Sequence, residues 1–151
     1  MTKEIGGLLI KDFELLIVRG KNGIFHIPSS KPDFPENYEE TLQRIFIKQL
    51  SGTRVNVISY YGFFSDNLPK YREGLELNVY FCKLNSNLGK ASDEVVDSFF
   101  VDSSDINNYK FSEVTRKVLN RLKKDKLIRW QKYPQEAMTW TNGFMGGMRK
   151  I

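Results

Sequence analysis

The sequence LLIVRGKNGIFHIP at residues 15–28, followed by NYEETLQRIFIKQL at residues 37–50, holds the clearest structural pattern in this chain. The first stretch opens with an unbroken aliphatic run that ends at Arg19, which is typical of a buried β-strand. In the second, apolar side chains recur at helical spacing from Leu42 to Leu50, and Ser51-Gly52 ends the run. The two stretches therefore predict a strand, a loop and a helix that covers residues 37–50.

The segment between these stretches is rich in residues that break regular structure. Residues 28–35 include three prolines and two serines, so we expect an irregular loop. Asn37 then offers a capping side chain at the start of the helix. Glu39 and Glu40 fall in the first turn, where negative charge favours the helix dipole, and Glu40 is spaced to pair with Arg44.

The rest of the chain alternates between strand-like and helix-like segments. A hairpin turn is expected at Lys11-Asp12, within a set of predicted strands at residues 5–10, 14–19, 55–65, 74–84 and 95–101. Ser112 is placed to cap a second helix, whose apolar face comprises Val114, Val118, Leu119 and Leu122. The order strands, helix, strands, helix predicts the α+β class, arranged as an α/β/α sandwich.

Composition narrows the class of protein. A chain of 151 residues with 40% hydrophobic residues can bury one core, and no repeat or linker indicates a second domain. No apolar run approaches the ~20 residues of a membrane span, and no secretory signal is visible. Cys82 is the single cysteine and lies in an apolar stretch, which predicts a buried, inert thiol and no disulfide framework. These features predict a cytoplasmic protein.

The chain is basic, with a formal net charge of +5 and a sequence pI of about 9.3. Such an excess attracts phosphates, nucleotides or nucleic acid. Much of it falls between Arg116 and Lys150, where a basic helix is more often a solvated face than a nucleic-acid footprint. The net charge is therefore compatible with a phosphate-bearing partner but does not identify one.

The opening stretches resemble the start of the Nudix signature. Nudix proteins enter it through an aliphatic strand ending in arginine, then an aromatic residue, an aliphatic residue and proline, as in residues 15–28. The signature reads G-x5-E-x7-R-E-U-x-E-E-x-G-U, where U is aliphatic; Glu36 matches its first glutamate and Arg44 its arginine. Segment 93–101 and the closing helix from Ser112 also fall in the family's usual places. The resemblance implies the Nudix fold, with a mixed central sheet, a signature helix after the Pro-rich loop and a C-terminal helix.

The chain departs from the signature where the family binds metal. The resemblance places three clustered glutamates at positions that here hold Ile45, Lys48 and Gln49. These positions share one face of a helix, where three carboxylates can hold magnesium through oxygen. An aliphatic group, an ammonium and an amide are poor replacements, so no magnesium is expected at these positions. No cofactor is predicted unless the metal ligands have moved elsewhere.

Two groups of side chains are candidates for a site. Relocated catalytic carboxylates would come from Glu36, Glu40 and Glu94, with Glu39 as a fourth, although helix-dipole stabilisation is the favoured role of the helix-start glutamates. The resemblance gives Glu36 and Arg44 the role of bracing the loop by an ion pair. Lys48 would make the cleft basic, so that it binds phosphate without a metal. The predicted ligand-binding residues are Lys48, Arg44, Arg19, His26 and Phe25, with a structural role as the favoured alternative for His26.

Three interpretations of function follow. In the first, a Nudix-like domain without magnesium-dependent hydrolysis binds a nucleotide-type or phosphate-bearing ligand, RNA or a protein partner. The residues favour this interpretation, so an ordinary Nudix hydrolysis rate is not expected. In the second, a divergent pyrophosphohydrolase cleaves nucleoside diphosphate derivatives with relocated ligands and uses magnesium. The third is an unrelated α/β domain. Residues 1–128 are expected to form the domain, and the aromatic and glycine-rich residues 129–151 to pack on it or to form a homodimer interface.

Overall fold

The computed structural model describes residues 2–66 and 74–129. Within these ranges the strands are β1 Thr2–Lys11, β2 Glu14–Gly20, β3 Phe25–His26, β4 Ser29–Ser30, β5 Val55–Ser65, β6 Leu75–Leu84 and β7 Val95–Val101. The helices are α1 Tyr38–Gln49 and α2 Glu113–Lys124, with a short 3₁₀ helix at Ser103–Asp105. The five predicted strands and both predicted helices are present, and the two-residue strand β4 was not predicted. Neither described α-helix is long and apolar enough to cross a membrane.

The strands form a mixed sheet in the order β3-β2-β1-β6-β5, with β4 paired to β1 and β7 paired to β2. Strand β1 pairs with β6 in parallel, from Thr2 opposite Leu75 to Leu9 opposite Cys82. The pairs β1–β2, β2–β7 and β5–β6 are antiparallel. The parallel pair places the first strand of the chain in the middle of the sheet, and the predicted mixed sheet is confirmed.

The core is divided between the two faces of the sheet, because neighbouring residues on a strand point to opposite sides. Leu8 and Ile17 belong to the cluster that contains the buried apolar residues of α2. Leu9 and Leu16 belong to the cluster that contains the buried apolar residues of α1. Each face therefore packs against one helix, which confirms the α/β/α sandwich.

Helix α1 begins at a capping box. The Asn37 side chain accepts a hydrogen bond from the Glu40 backbone N–H at 2.9 Å, and the Glu40 carboxylate accepts one from the Asn37 N–H at 3.0 Å. Two backbone donors at the helix start are thereby satisfied. The expected pair between Glu40 and Arg44 is wrong, because Glu40 turns back to the cap and Arg44 pairs with Glu36.

The turn between β1 and β2 lies one residue later than expected. Lys11 pairs with Glu14, so the turn residues are Asp12 and Phe13, with φ angles of 53° and 65°. Two successive positive φ angles are typical of a type I′ turn, which suits the twist of a hairpin. The prediction of a turn at Lys11-Asp12 was wrong, because it assumed that both turn residues are polar. The second turn residue is the apolar Phe13, whose side chain is exposed.

Cys82 lies in the core beside α1, where burial raises the pKa of its thiol to about 12. The thiol is therefore protonated at neutral pH, as expected of an inert cysteine. Of the predicted extension at residues 129–151, Arg129 lies in the described part, where its backbone N–H donates to the Phe13 carbonyl at 2.8 Å. The remaining residues of the extension lie outside the described residues, and its packing and any homodimer stay predictions.

Candidate functional site

A cavity of about 510 Å³ lies between β4, the loop after β2 and the start of α2. The antiparallel pairing of β1 with β4, which places Ile5 opposite Ser30, draws the Pro-rich loop against the sheet. Apolar side chains contribute one part of the lining, namely Ile24, Leu75, Leu77 and Val114. Charged groups and an imidazole contribute another, namely Glu4, His26, Lys31, Asp33 and Glu94. The cavity therefore combines apolar surface with convergent polar groups, as ligand sites do.

The wall formed by the Pro-rich loop is held by Arg44. Its Nε lies 2.8 Å from Glu36 Oε2, and its Nη2 donates to Glu36 Oε1 at 3.1 Å and to the Lys31 carbonyl at 2.7 Å. Glu36 also accepts the Asp33 N–H at 2.8 Å and the Thr41 hydroxyl at 3.0 Å. This two-pronged pair fixes residues 31–36 to the body of α1 and matches the bracing role that the resemblance implies.

The hydrogen bond from Arg44, followed by that from the Asp33 N–H, lowers the pKa of Glu36 from 4.5 to about 2. A carboxylate with a lowered pKa in the folded state stabilises the fold fully above the unfolded value. That contribution is lost as the pH falls through the folded value, here between pH 4.5 and about pH 2.

We therefore expect Glu36→Gln to make the stability of the chain less dependent on pH in the acidic range. The gap in melting temperature between wild type and variant should be widest at pH 7 and should close between pH 4.5 and about pH 2. Thermal melts across this interval measure the gap directly. Parallel curves with a constant offset would show that ionised Glu36 is not the stabilising species.

Gln49 connects three segments of the chain and contacts two of the residues that line the cavity, Ser29 and Glu94. Its Nε2 donates to the Ser29 carbonyl at 3.1 Å and to Glu94 Oε1 at 2.9 Å. The residue is 2% exposed, and its Oε1 is buried without a hydrogen-bond partner in the described structure. Helix α1, strand β4 and the segment before β7 therefore meet at one amide group.

The side chains at the three family metal positions do not fit a magnesium ion. Ile45 is buried in the core beside β1 and has no ligand atom. Gln49 directs its N–H groups, not an oxygen, at the Glu94 carboxylate. Within residues 2–66 and 74–129, no group of three or more His, Cys, Asp or Glu side chains is arranged to hold a metal ion. No chemical step is therefore assigned to magnesium here.

Lys48, the third of these positions, is exposed and does not line the cavity. The buried stripe of α1 consists of Thr41, Leu42, Ile45, Phe46 and Gln49. Lys48 lies beside that stripe, and its backbone carbonyl accepts a hydrogen bond from the Ser92 hydroxyl. Helical spacing alone placed it with Ile45 and Gln49, but burial separates it from them. Its part in ligand binding stays a prediction.

Arg19 and Phe25 also lie away from the cavity lining. Arg19 lies 4.0 Å from the Asp97 carboxylate and its guanidinium is 6.0 Å from the centre of the Phe25 ring. Phe25 packs in an aromatic group with Phe99, Tyr109 and Phe111. Because Phe25 takes part in the core, stacking on a ligand would require this group to separate.

His26 is the one predicted ligand-binding side chain that lines the cavity. Its Nδ1 lies 2.8 Å from the Ile27 carbonyl, to which it can only donate. In the neutral ring this bond leaves Nε2 as an acceptor. Among the candidate carboxylates, Glu94 lines the cavity, whereas Glu36 and Glu40 are committed to Arg44 and to the capping box.

The charged lining is acidic, contrary to the expected basic cleft. It contains the carboxylates of Glu4, Asp33 and Glu94, and Lys31 is the one lysine or arginine among the described lining residues. Asp33 lies 3.4 Å from Arg44 Nε, which offsets part of its charge. Glu4, Lys31 and Asp33 were not predicted from the sequence, because only the pairing of β4 with β1 brings them to the same cavity.

Comparison with known proteins finds similarity in structure but not in sequence. No family model and no curated protein matches the sequence. Among solved structures, a MutT Nudix hydrolase from Burkholderia pseudomallei matches with a TM-score of 0.70 and 16% identity, over 80% of this chain and 97% of that one. An ADP-ribose pyrophosphatase from Streptococcus suis matches with a TM-score of 0.63 and 14% identity, over 80% and 85%. A UDP-X diphosphatase matches with a TM-score of 0.65 and 17% identity, over 80% and 60%.

These matches span most of the described residues and agree with the signature-like features in the sequence. The mixed sheet lies between two helices, and the loop before α1 is braced by an arginine–glutamate pair at the spacing of the Nudix signature. The chain has the Nudix fold.

Proposed function

We propose that this chain binds a nucleotide-type ligand in the cavity beside β4, without magnesium-dependent hydrolysis at the helix positions that the family uses. The observation that carries the proposal is the hydrogen bond from Gln49 to Glu94. It places an amide donor against a carboxylate at a point where metal binding requires oxygen atoms.

The lining supplies a contact for each part of such a ligand. Ile24 and Leu75, which are half-buried, offer apolar surface to a base or sugar ring. Glu4 and Glu94 can accept hydrogen bonds from amino and hydroxyl groups. Lys31 is the cation in the lining that can meet a phosphate. The acidic balance favours a ligand with several hydrogen-bond donors and few phosphates.

Calorimetric titration with ADP-ribose and a UDP-sugar, each with EDTA and with magnesium, tests this proposal. We expect binding in both conditions with dissociation constants that agree within about threefold, because the protein contacts do not pass through a metal. Binding that occurs only with magnesium would contradict the proposal.

Lys31→Glu is expected to weaken binding of such a ligand by about 5- to 30-fold, since it replaces a charge-assisted contact with repulsion. Lys48→Glu makes the same charge change outside the lining and serves as the matched control, with an expected change of less than about twofold. Titration of both variants in EDTA gives the comparison. A larger loss of affinity for Lys48→Glu than for Lys31→Glu would indicate that Lys48, and not Lys31, contacts the phosphate.

Diphosphate hydrolysis is a second candidate function, and the comparisons favour it, since two of the matched structures are named as a pyrophosphatase and a diphosphatase. Glu94 is its best-placed carboxylate because it lines the cavity. Product release from the same two compounds with magnesium or manganese tests this function. Turnover that Glu94→Gln abolishes would establish a divergent hydrolase with relocated ligands.

RNA and protein partners stay predictions, as does a cytoplasmic location. Electrophoretic mobility of an RNA pool with the full chain tests the first of these. A shift that increasing salt removes and that Lys31→Glu leaves unchanged would locate RNA binding outside the cavity.

A further inference from the structure

Gln49 lies on the inner face of α1 and is 2% exposed. One buried nitrogen meets two oxygens, the Ser29 carbonyl at 3.1 Å and the Glu94 carboxylate at 2.9 Å. The Ser29 carbonyl belongs to β4, and Glu94 belongs to the segment that leads into β7. Three parts of the chain that are far apart in sequence are therefore joined at one atom.

A carbonyl and a carboxylate that converge in this way are the oxygen ligands that hard divalent cations use. Adjacent oxygens around an octahedral ion with bonds of about 2.1 Å are about 3.0 Å apart. The separations measured from Gln49 Nε2 to the two oxygens have this length. An oxygen in place of Nε2 would complete three cation ligands, but without a cation it would repel both neighbours.

We propose that the Gln49 amide replaces a divalent cation as the cross-link between α1, β4 and the segment before β7. Its two N–H groups satisfy the Ser29 carbonyl and the Glu94 carboxylate without any metal. A single change to glutamate converts the same three groups into a cation site. This inference concerns how the segments are held, so it stands or falls independently of which ligand occupies the cavity.

Three variants of the full chain test the inference by thermal unfolding, each in EDTA and in manganese chloride. Gln49→Met removes the N–H groups and keeps the length, so its melting temperature is expected to fall by about 3–6 °C in both conditions. Gln49→Glu is expected to fall at least as far in EDTA and to recover in manganese. Gln49→Glu combined with Glu94→Gln loses one of the two carboxylates and should recover much less.

Manganese binding itself is read from the electron paramagnetic resonance signal of the free ion. Gln49→Glu is expected to take up about one equivalent with at least tenfold higher affinity than wild type, since two carboxylates then face one ion. Equal manganese effects on wild type, Gln49→Met and Gln49→Glu would overturn the proposal. Absence of any manganese effect on Gln49→Glu would overturn it as well.

Two substitutions by uncharged residues test the inference even if the Gln49→Glu variant does not fold. Glu94→Ala is expected to lower the melting temperature of wild type by several degrees and that of Gln49→Met by less than about half as much, because the shared bond is already lost. Equal shifts in both backgrounds would show that Gln49 and Glu94 do not form a cross-link.

Discussion

Replacing Phe46 with alanine is expected to lower the free energy of unfolding by about 3–5 kcal/mol, among the largest effects of any single change in this chain. Phe46 is fully buried on the inner face of α1. An ideal Cβ at Gly7 would lie 2.5 Å from its Cε2 and 2.9 Å from its Cζ, so the ring occupies the space that glycine leaves on β1. Truncation leaves a cavity that the flat strand surface cannot fill. Urea unfolding with the midpoint and slope fitted together measures the loss.

Phe34→Ala is the matched control, because Phe34 is 98% exposed and contributes little to burial. Its expected effect is within about 0.5 kcal/mol of zero. A loss for Phe46→Ala of less than about 1.5 kcal/mol would contradict the packing of α1 on β1 described above.

Gly89→Ala is expected to destabilise the chain by about 3 kcal/mol, at the upper end of overpacking effects. A Cβ at Gly89 would lie closer than 3.0 Å to the backbone carbonyl oxygens of Leu50 and Ser51. Backbone atoms at the end of a helix cannot turn aside as a side chain can. The Gly89 N–H also donates to the Thr53 hydroxyl at 2.7 Å, which a displaced loop would lose. Because Gln49 is the last residue of α1, the same displacement should weaken its contact with Glu94.

Comparison with Gly23→Ala distinguishes the effect of backbone strain from the effect of steric overlap expected at Gly89. Gly23 has a φ of +82° and open space around its missing Cβ, so alanine there should destabilise by only about 1 kcal/mol. Thermal unfolding of the two variants side by side gives the comparison. Similar losses would show that backbone angle, and not contact with the helix end, sets the effect at Gly89.

The parts of the fold that were predictable are those with local signals. Asn37 and the apolar spacing after it predicted α1 to within one residue, because caps and periodicity act over a single turn. The strands at 55–65 and 95–101 were predicted with their observed bounds, since β-branched and aromatic residues crowd them. The turn at Asp12 and Phe13 was missed by one residue, because backbone angles are not visible in polarity.

The candidate site was less predictable because it is built by long-range pairing. Helical spacing grouped Lys48 with Ile45 and Gln49, yet only the docking of α1 on the sheet decides which of them face inward. Lys31 and Glu4 are 27 positions apart and reach one cavity through the β1–β4 pair. The ion pair of Glu36 with Arg44 was predictable by contrast, since the family resemblance names both positions.

The parallel pairing of β1 with β6 has a consequence for how the chain folds during synthesis. Leu9 on the first strand meets Cys82, so the centre of the sheet joins residues that are 73 positions apart. Closing so long a segment precedes any gain from the contact, and folding slows as such separations grow. A chain leaving the ribosome cannot complete its central sheet until β6 has emerged. Until then the backbone N–H and C=O groups along the edge of β1 that faces β6 stay unpaired, and exposed strand edges of this kind favour aggregation.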